Sequence, residues 1–115
     1  MTRPLTPESM EFENSPLFIS EDEEKRCEFN AQGVLDTGEI PSAASIKVYE
    51  LTGETDVTST ILKAGTTVVT STGCIAVLKS ATPGSHYRVE VLLTTNYNKI
   101  EGFLILHGAG MKKTA

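Results

Sequence analysis

The side chains that most often carry chemistry are few and scattered in this chain of 115 residues. The two histidines, His86 and His107, and the two cysteines, Cys27 and Cys74, show none of the ligand spacings of a zinc site. The acidic run 21–24 lacks the alternating oxygen ligands of a calcium loop. A nucleophile also needs a base held beside it, and the sequence indicates none. We therefore expect no catalytic residue and no metal, with surface histidines and free, buried thiols.

Charge and composition point away from nucleic acids, membranes and cofactors as partners. Residues 1–24 carry seven acidic side chains against Arg3 alone, a net charge of −6, so the remainder carries +1 of the total of −5. A body with so little net charge lacks the basic stripe that binds phosphate backbones. No glycine-rich phosphate loop leads into a helix, and no apolar run approaches the roughly 20 residues of a membrane span. The N-terminus also lacks the apolar core of a secretory signal.

The best-specified element is a long β-hairpin near the end of the chain. Every second residue from Tyr87 to Leu93 is apolar, which is the period of a strand with one buried face. The polar break Asn96–Asn98 can turn the chain, and Ile100–Leu106 supplies a second apolar run of strand length. We expect the rest of the chain to pair with this hairpin or pack on it.

Four earlier stretches have strand length and composition: 24–31, 44–51, 67–72 and 74–78. About seven short strands at 8–12-residue spacing, with no convincing helix, are typical of a β-sandwich. We therefore predict an all-β antiparallel sandwich of immunoglobulin-like or fibronectin type III-like architecture over residues 24–107. Phe29, Val89 and Val91 are expected inside it.

The corner before the hairpin supports this class of fold. Gly84 offers a sharp turn, and Tyr87 opens the alternating strand that follows it. In immunoglobulin-like sandwiches, a tyrosine at this place hydrogen-bonds back to the corner backbone. We predict that Gly84 and Tyr87 form such a structural corner.

The sequence also predicts an extended acidic arm over residues 1–23 and a flexible tail over 108–115. Prolines in the arm disfavour helix. Its apolar triplet Leu17, Phe18 and Ile19 can fold back on its own domain or dock on a neighbouring subunit. We take docking as the hypothesis, so deletion of residues 1–20 is expected to spare folding and abolish assembly. Tyr97 and Asn98, in the hairpin turn, are the second candidate contact.

Several motifs together resemble a known family. They are Lys25-Arg26-Cys27-Glu28-Phe29, Gly38-Glu39-Ile40, Ser45-Ile46-Lys47-Val48, the stretch from Leu78 to Val89, and Leu93-Thr94-Thr95. In this order, across residues 20–106, they resemble small tailed-bacteriophage virion proteins, the group of fiber–tail adaptor and head–tail structural proteins.

This resemblance implies an immunoglobulin-like module without catalysis, present in multiple copies at the neck or tail of a virion and made in the cytoplasm of the host bacterium. Its partners would be other virion proteins (portal, connector, tail or fiber subunits) and neighbouring copies of itself. Two alternatives stay open. One is a head decoration or head-completion protein. The other is an adhesin or carbohydrate-binding sandwich, for which the absence of tryptophan leaves few stacking side chains.

Overall fold

The computed structural model of the protein describes residues 10–12 and 15–109. Within them a 3₁₀ turn covers Gln32–Val34 and a single helical turn, α1, covers Thr58–Ile61. The strands are β1 (Met10–Glu11), β2 (Leu17–Ser20), β3 (Glu24–Asn30), β4 (Pro41–Glu50), β5 (Thr55–Asp56), β6 (Val68–Thr70), β7 (Gly73–Lys79), β8 (His86–Thr95) and β9 (Lys99–Ala109).

Two sheets pack together in a sandwich-like arrangement. The larger sheet has the order β1-β9-β8-β4-β5, with β2 also pairing with β9, and the smaller has the order β3-β7-β6. Strand β8 is antiparallel to both β4 and β9, whereas β1 and β2 run parallel to β9. Strands hold 57% of the residues and helices 7%, so the predicted all-β class with two packed sheets is confirmed.

The β8–β9 hairpin lies in the middle of the larger sheet, as the alternation predicts. Its register runs from His86 opposite His107 to Thr94 opposite Lys99. Alternate residues of both strands are buried against the smaller sheet. Arg88, which the alternation places on the solvent side, is also buried, but on the outer face of the sheet.

The hydrophobic core lies between the sheets. Phe29, Val89 and Val91 are all buried there, which confirms the expectation. Cys27 and Cys74 belong to the same core and are both free. Burial of these apolar side chains is the main source of stability, at roughly 25 cal/mol per Å² of apolar surface removed from water.

The N-terminal region corrects the predicted boundary at residue 24. Strands β1 and β2 extend the larger sheet, and Phe12 is buried with its ring 5.3 Å from that of Phe29, edge to face. The docking hypothesis for the triplet is wrong for Ile19, which is 0% exposed in the core of its own chain, and Leu17 packs against that core. Only Phe18 points outward, at 57% exposure. Alternation along β2 explains this split.

The C-terminal boundary also shifts, because β9 continues to Ala109 instead of ending at residue 107. The remaining residues of the predicted tail, 110–115, lie outside the described part of the chain, as do residues 1–9 of the predicted arm.

The corner before β8 has the geometry of a tyrosine corner. Tyr87 is buried, and its hydroxyl accepts a hydrogen bond of 2.9 Å from the backbone N–H of Thr82. Gly84 has φ +85°, a left-handed conformation that favours glycine, and its N–H donates to the carbonyl of Gly108 at 2.9 Å. The corner is therefore tied to both strands of the hairpin.

Tyr87→Phe is expected to lower the free energy of unfolding by about 0.5–1.5 kcal/mol, the net value of one hydrogen bond, because the ring keeps its packing. Urea melts of the variant and wild type measure this. Tyr97→Phe is the matched control. Because the Tyr97 ring is exposed, this variant should have the same free energy of unfolding as wild type. An unchanged midpoint for Tyr87→Phe would mean that this hydrogen bond contributes nothing net.

Candidate interaction site

Two loops meet at one end of the sandwich and form the candidate site, here called the end clamp. One is the segment 36–41 leading into β4, and the other is the β8–β9 turn at 95–98. The two are joined by hydrogen bonds between residues 56 to 59 positions apart in sequence. The β8–β9 turn, which the sequence predicts as a contact, is therefore hydrogen-bonded to a second loop.

Glu39 is the centre of the end clamp and is buried. Its carboxylate accepts hydrogen bonds from the backbone N–H of Asp36 at 2.9 Å, from the hydroxyl of Thr95 at 2.5 Å and from the side-chain amide of Asn98 at 3.2 Å. Chiefly the Asp36 N–H, and then the Thr95 hydroxyl, lower the pKa of Glu39 below its ordinary value, against the opposing effect of burial. The carboxylate therefore stays charged and fully hydrogen-bonded at neutral pH.

Asn96 provides the second connection between the two loops. Its side-chain oxygen accepts from the N–H of Ile40 at 2.8 Å, and its side-chain amide donates to the carbonyl of Gly38 at 3.0 Å. Its backbone N–H also donates to the carbonyl of Ile40 at 3.2 Å. These bonds fix the path of the loop beside the turn.

The end clamp presents apolar side chains to solvent. Ile40 and Tyr97 are each 58% exposed. Their backbones are nevertheless held, Ile40 by its bonds to Asn96 and Tyr97 by its N–H, which donates to the Thr95 hydroxyl at 3.1 Å. Beside them is an open groove of about 480 Å³, lined by Val34, Leu92, Asn98, Lys99, Ile100 and Glu101. Exposed aromatic and aliphatic side chains on a preorganised backbone are suited to protein contacts, because little entropy is lost when they are covered.

The structure separates the two groups of residues predicted to make contacts. Tyr97 and Asn98 precede the first residue of β9, whereas Leu17, Phe18 and Ile19 pair with Leu106, His107 and Gly108 near its other end. Tyr97 and Asn98 thus belong to the end clamp, and Phe18 forms a separate small aromatic group. In that group its ring stacks on His107 at 4.8 Å, and His107 meets His86 edge to face at 4.4 Å.

Sequence reasoning missed most of the end clamp. The sequence places Glu39 and Thr95 only within motifs of the family resemblance and Asn96 only within the hairpin turn, and it indicates no bond between the two loops. A buried glutamate has no signal in a single sequence, because its partners lie 56 or more residues away. The exposed polar turn with a central aromatic residue was the only available signal.

Cys27 and Cys74, which are residue types suited to catalysis or metal binding, are both buried. Burial raises the pKa of both thiols to about 11, so thiolate is scarce at neutral pH. Among the described residues, no group of three or more His, Cys, Asp or Glu side chains could hold a metal ion. The described part of the chain contains no helix with the length and hydrophobicity of a transmembrane span.

Comparison of the chain with protein-family models, curated proteins and solved structures gave no match.

Glu39→Gln is expected to be less stable than wild type at pH 7. The glutamine side chain would place an NH₂ group, a hydrogen-bond donor, where the Glu39 carboxylate now accepts hydrogen bonds. The lowered pKa of Glu39 means that its contribution is complete above the ordinary carboxyl value of 4.5 and is lost as pH falls through the folded value. The gap between the two proteins should therefore narrow between pH 5 and the acid limit of folding.

Urea melts of both proteins at several pH values measure this gap. Glu21→Gln, an exposed carboxyl in the turn between β2 and β3, serves as the control and should stay within about 0.5 kcal/mol of wild type. A gap for Glu39→Gln that is independent of pH would contradict the assigned role of the carboxylate.

Proposed function

We propose that the chain is a non-catalytic structural protein of a tailed-bacteriophage virion, an immunoglobulin-like adaptor module at the neck or tail. It assembles in multiple copies through protein–protein contacts. The observation that carries this proposal is the end clamp, where hydrogen bonds to the buried Glu39 carboxylate and to Asn96 hold Tyr97 and Ile40 exposed on a fixed backbone.

The strand order supports the immunoglobulin-like part of the proposal. In that fold, strands B, E and D form one sheet and strands G, F and C the other, with C′ added beside C in the variable type. Counting β3 as B, the smaller sheet reads B-E-D and the larger sheet reads G-F-C-C′. Tyr87 then lies near the start of strand F and bonds to backbone five residues upstream, where that fold has its tyrosine corner.

The position in a virion rests on the family resemblance, and the end clamp adds a physical reason for assembly. Large apolar side chains at a protruding turn expose surface to water in the free chain, and a partner that covers them gains their burial. Portal, connector, tail or fiber subunits are the proposed partners, together with neighbouring copies of the chain.

Capture by purified portal and tail complexes from the same phage genome tests the proposal, with bound particles viewed by negative stain. Wild type is expected to bind and to add density at the neck or tail. The double variant Ile40→Ser/Tyr97→Ser should lose at least about 30-fold in affinity, as expected for removal of hot-spot side chains.

Val68→Ser is the matched control, because Val68 is equally exposed but lies on β6 of the smaller sheet. It should bind like wild type. Absence of wild-type protein from every virion complex would overturn the virion assignment. Undiminished binding by the double variant would place the contact away from the end clamp.

A further inference from the structure

The outer face of the larger sheet is the second surface with the character of an interface. Its central part is here called the outer face. This part consists of side chains that point away from the core: Glu11 of β1, Ser45, Lys47 and Tyr49 of β4, Arg88, Glu90 and Leu92 of β8, and Glu101, Phe103 and Ile105 of β9. Within the described residues the smaller sheet packs on the opposite side of this sheet, whereas on the outer face Glu54, in the turn after β4, contacts Arg88, and Val34 borders the groove beside Leu92 and Glu101.

Strand β9 has the composition of a strand covered on both sides. Leu104 and Leu106 point inward and are fully buried, while Phe103 and Ile105 point outward and are only partly exposed. A strand with one solvated face normally alternates apolar and polar residues, and a continuous apolar run is typical of strands buried on both faces. The sequence of β9 therefore indicates that something covers the outer face.

Arg88, in the middle of this face, is already paired with two acidic side chains, and the three groups together carry a net charge of −1. Arg88 is 7% exposed and forms ion pairs with Glu54 at 2.8 Å and Glu90 at 2.7 Å. Its guanidinium also lies 5.7 Å from the centre of the Tyr49 ring. A partner that covers Arg88 would therefore not bury the arginine without an opposite charge, which is the usual obstacle to covering an arginine.

Opposite charges lie at opposite margins of the face in a single row. The strand register places Lys47, Glu90, Phe103 and Glu11 side by side across β4, β8, β9 and β1. Lys47 and Glu11 are thus three strand spacings apart, about 14 Å. A two-fold axis parallel to the strands, between β8 and β9, would bring Lys47 of one copy onto Glu11 of another, and Glu11 of the first onto Lys47 of the second.

We propose that the outer face is the interface of a symmetric dimer of this chain. Two sheets packed face to face are usually rotated by about 30°. Lys47 and Glu11 each lie roughly 7 Å from the axis. The rotation therefore displaces Lys47 of one copy from the facing Glu11 of the other by less than about 4 Å, within the reach of a lysine side chain. Both ion pairs can therefore form while Phe103, Ile105 and Leu92 are covered.

The size of the face indicates a weak dimer. Four strands and three rows of outward side chains, with rows about 7 Å apart, cover roughly 20 by 20 Å, which is smaller than the ~800 Å² per partner of a standard interface. We therefore expect a dissociation constant in the micromolar range. The dimer would be more populated where an assembly holds copies of the chain close together. The inference deepens the proposed function by naming a face on which copies meet, but its test needs only the purified chain.

Sedimentation velocity over a concentration series from 5 to 500 μM, chosen to bracket ~100 μM affinity, is expected to show a monomer–dimer equilibrium. Lys47→Glu and Glu11→Lys should each weaken the dimer at least about tenfold, because each sets two pairs of like charges against one another. The double variant Lys47→Glu/Glu11→Lys should recover most of the affinity. Within one chain the two residues are about 14 Å apart, beyond the Debye length at physiological salt, so recovery reports contact between chains.

Lys25→Glu is the charge-matched control, because Lys25 is exposed on β3 of the smaller sheet, and it should dimerise like wild type. Phe103→Glu is a second disrupting variant that leaves the charges of Lys47 and Glu11 in place, and urea melts establish that each variant is folded. A chain that stays monomeric at all concentrations, or a double variant that stays as weak as the singles, would overturn the proposal. Monomeric behaviour would leave capture by virion complexes untouched, so the two proposals fail separately.

Discussion

Deletion of residues 1–20 is expected to destabilise the domain severely, lowering the melting temperature by more than 15 °C or leaving the chain unfolded. The deletion removes two buried core side chains, Phe12 and Ile19, and exposes the edge of β9 that β1 and β2 cover. Loss of each large core side chain costs about 2–5 kcal/mol, against a total stability of about 5–15 kcal/mol. This reverses the expectation that the segment is dispensable for folding.

Adjacent single substitutions separate packing from surface effects within the same strand. Ile19→Ala is expected to lower the free energy of unfolding by about 2–5 kcal/mol, because Ile19 is fully buried. Phe18→Ala removes a larger side chain from an exposed position and should cost less than about 1 kcal/mol. Urea denaturation measures both. Equal midpoints for the two variants would show that β2 does not pack as described.

Deletion of residues 1–20 is a poor probe of docking, because it removes the core side chains Phe12 and Ile19. Failure of the truncated chain to enter particles would therefore not distinguish loss of docking from loss of folding. Point variants on exposed residues such as Tyr97 and Ile40 keep the core intact and are the suitable probes.

The sandwich could be predicted from sequence where its strands repeat a period of two. In β3, β7 and β8 the inward residues are apolar and closely spaced in sequence, as at Cys27 and Phe29. The pattern within each strand therefore predicts which face is buried. Tyr87 could be placed at the corner for a related reason, because the corner glycine and the strand that follows it are adjacent in sequence.

The role of the N-terminal segment could not be predicted, because its pairing partner is about 90 residues away. Strands β1 and β2 have two and four residues, which is too short for an alternation to be recognised. Phe12 is a single apolar residue in an acidic and proline-containing context, and only the unsatisfied edge of β9 explains its burial.

The polar end clamp was unpredictable for a different reason. The alternating pattern reports burial of apolar side chains, and a buried Glu39 contradicts that pattern unless its partners are known. Those partners, Thr95 and Asn98, reach it only when the hairpin folds over the loop before β4. In physical terms, hydrogen-bond satisfaction is a property of the assembled fold and has no local signature.

Gly108→Ala and Gly73→Ala are expected to destabilise the protein by about 3 kcal/mol or more, because a methyl group has no space at either position. A Cβ at Gly108 would lie 1.8 Å from the carbonyl oxygen of Thr82, and one at Gly73 would lie 1.9 Å from that of Phe29. Both obstacles are backbone atoms. Relief at Gly108 requires movement of the tyrosine corner away from β9, and relief at Gly73 requires separation of β3 from β7.

Gly33→Ala is the matched control for this pair. A Cβ at Gly33 meets nothing within 4 Å, and its backbone needs no left-handed conformation. The control should match wild type or gain up to about 1 kcal/mol, since alanine restricts the unfolded chain. Urea melts and near-ultraviolet circular dichroism of all three variants test the expectation. If Gly108→Ala has the same urea midpoint as Gly33→Ala, the corner is not in close contact with β9. The hydrogen bond from Gly84 to Gly108 would then not hold the corner against the hairpin.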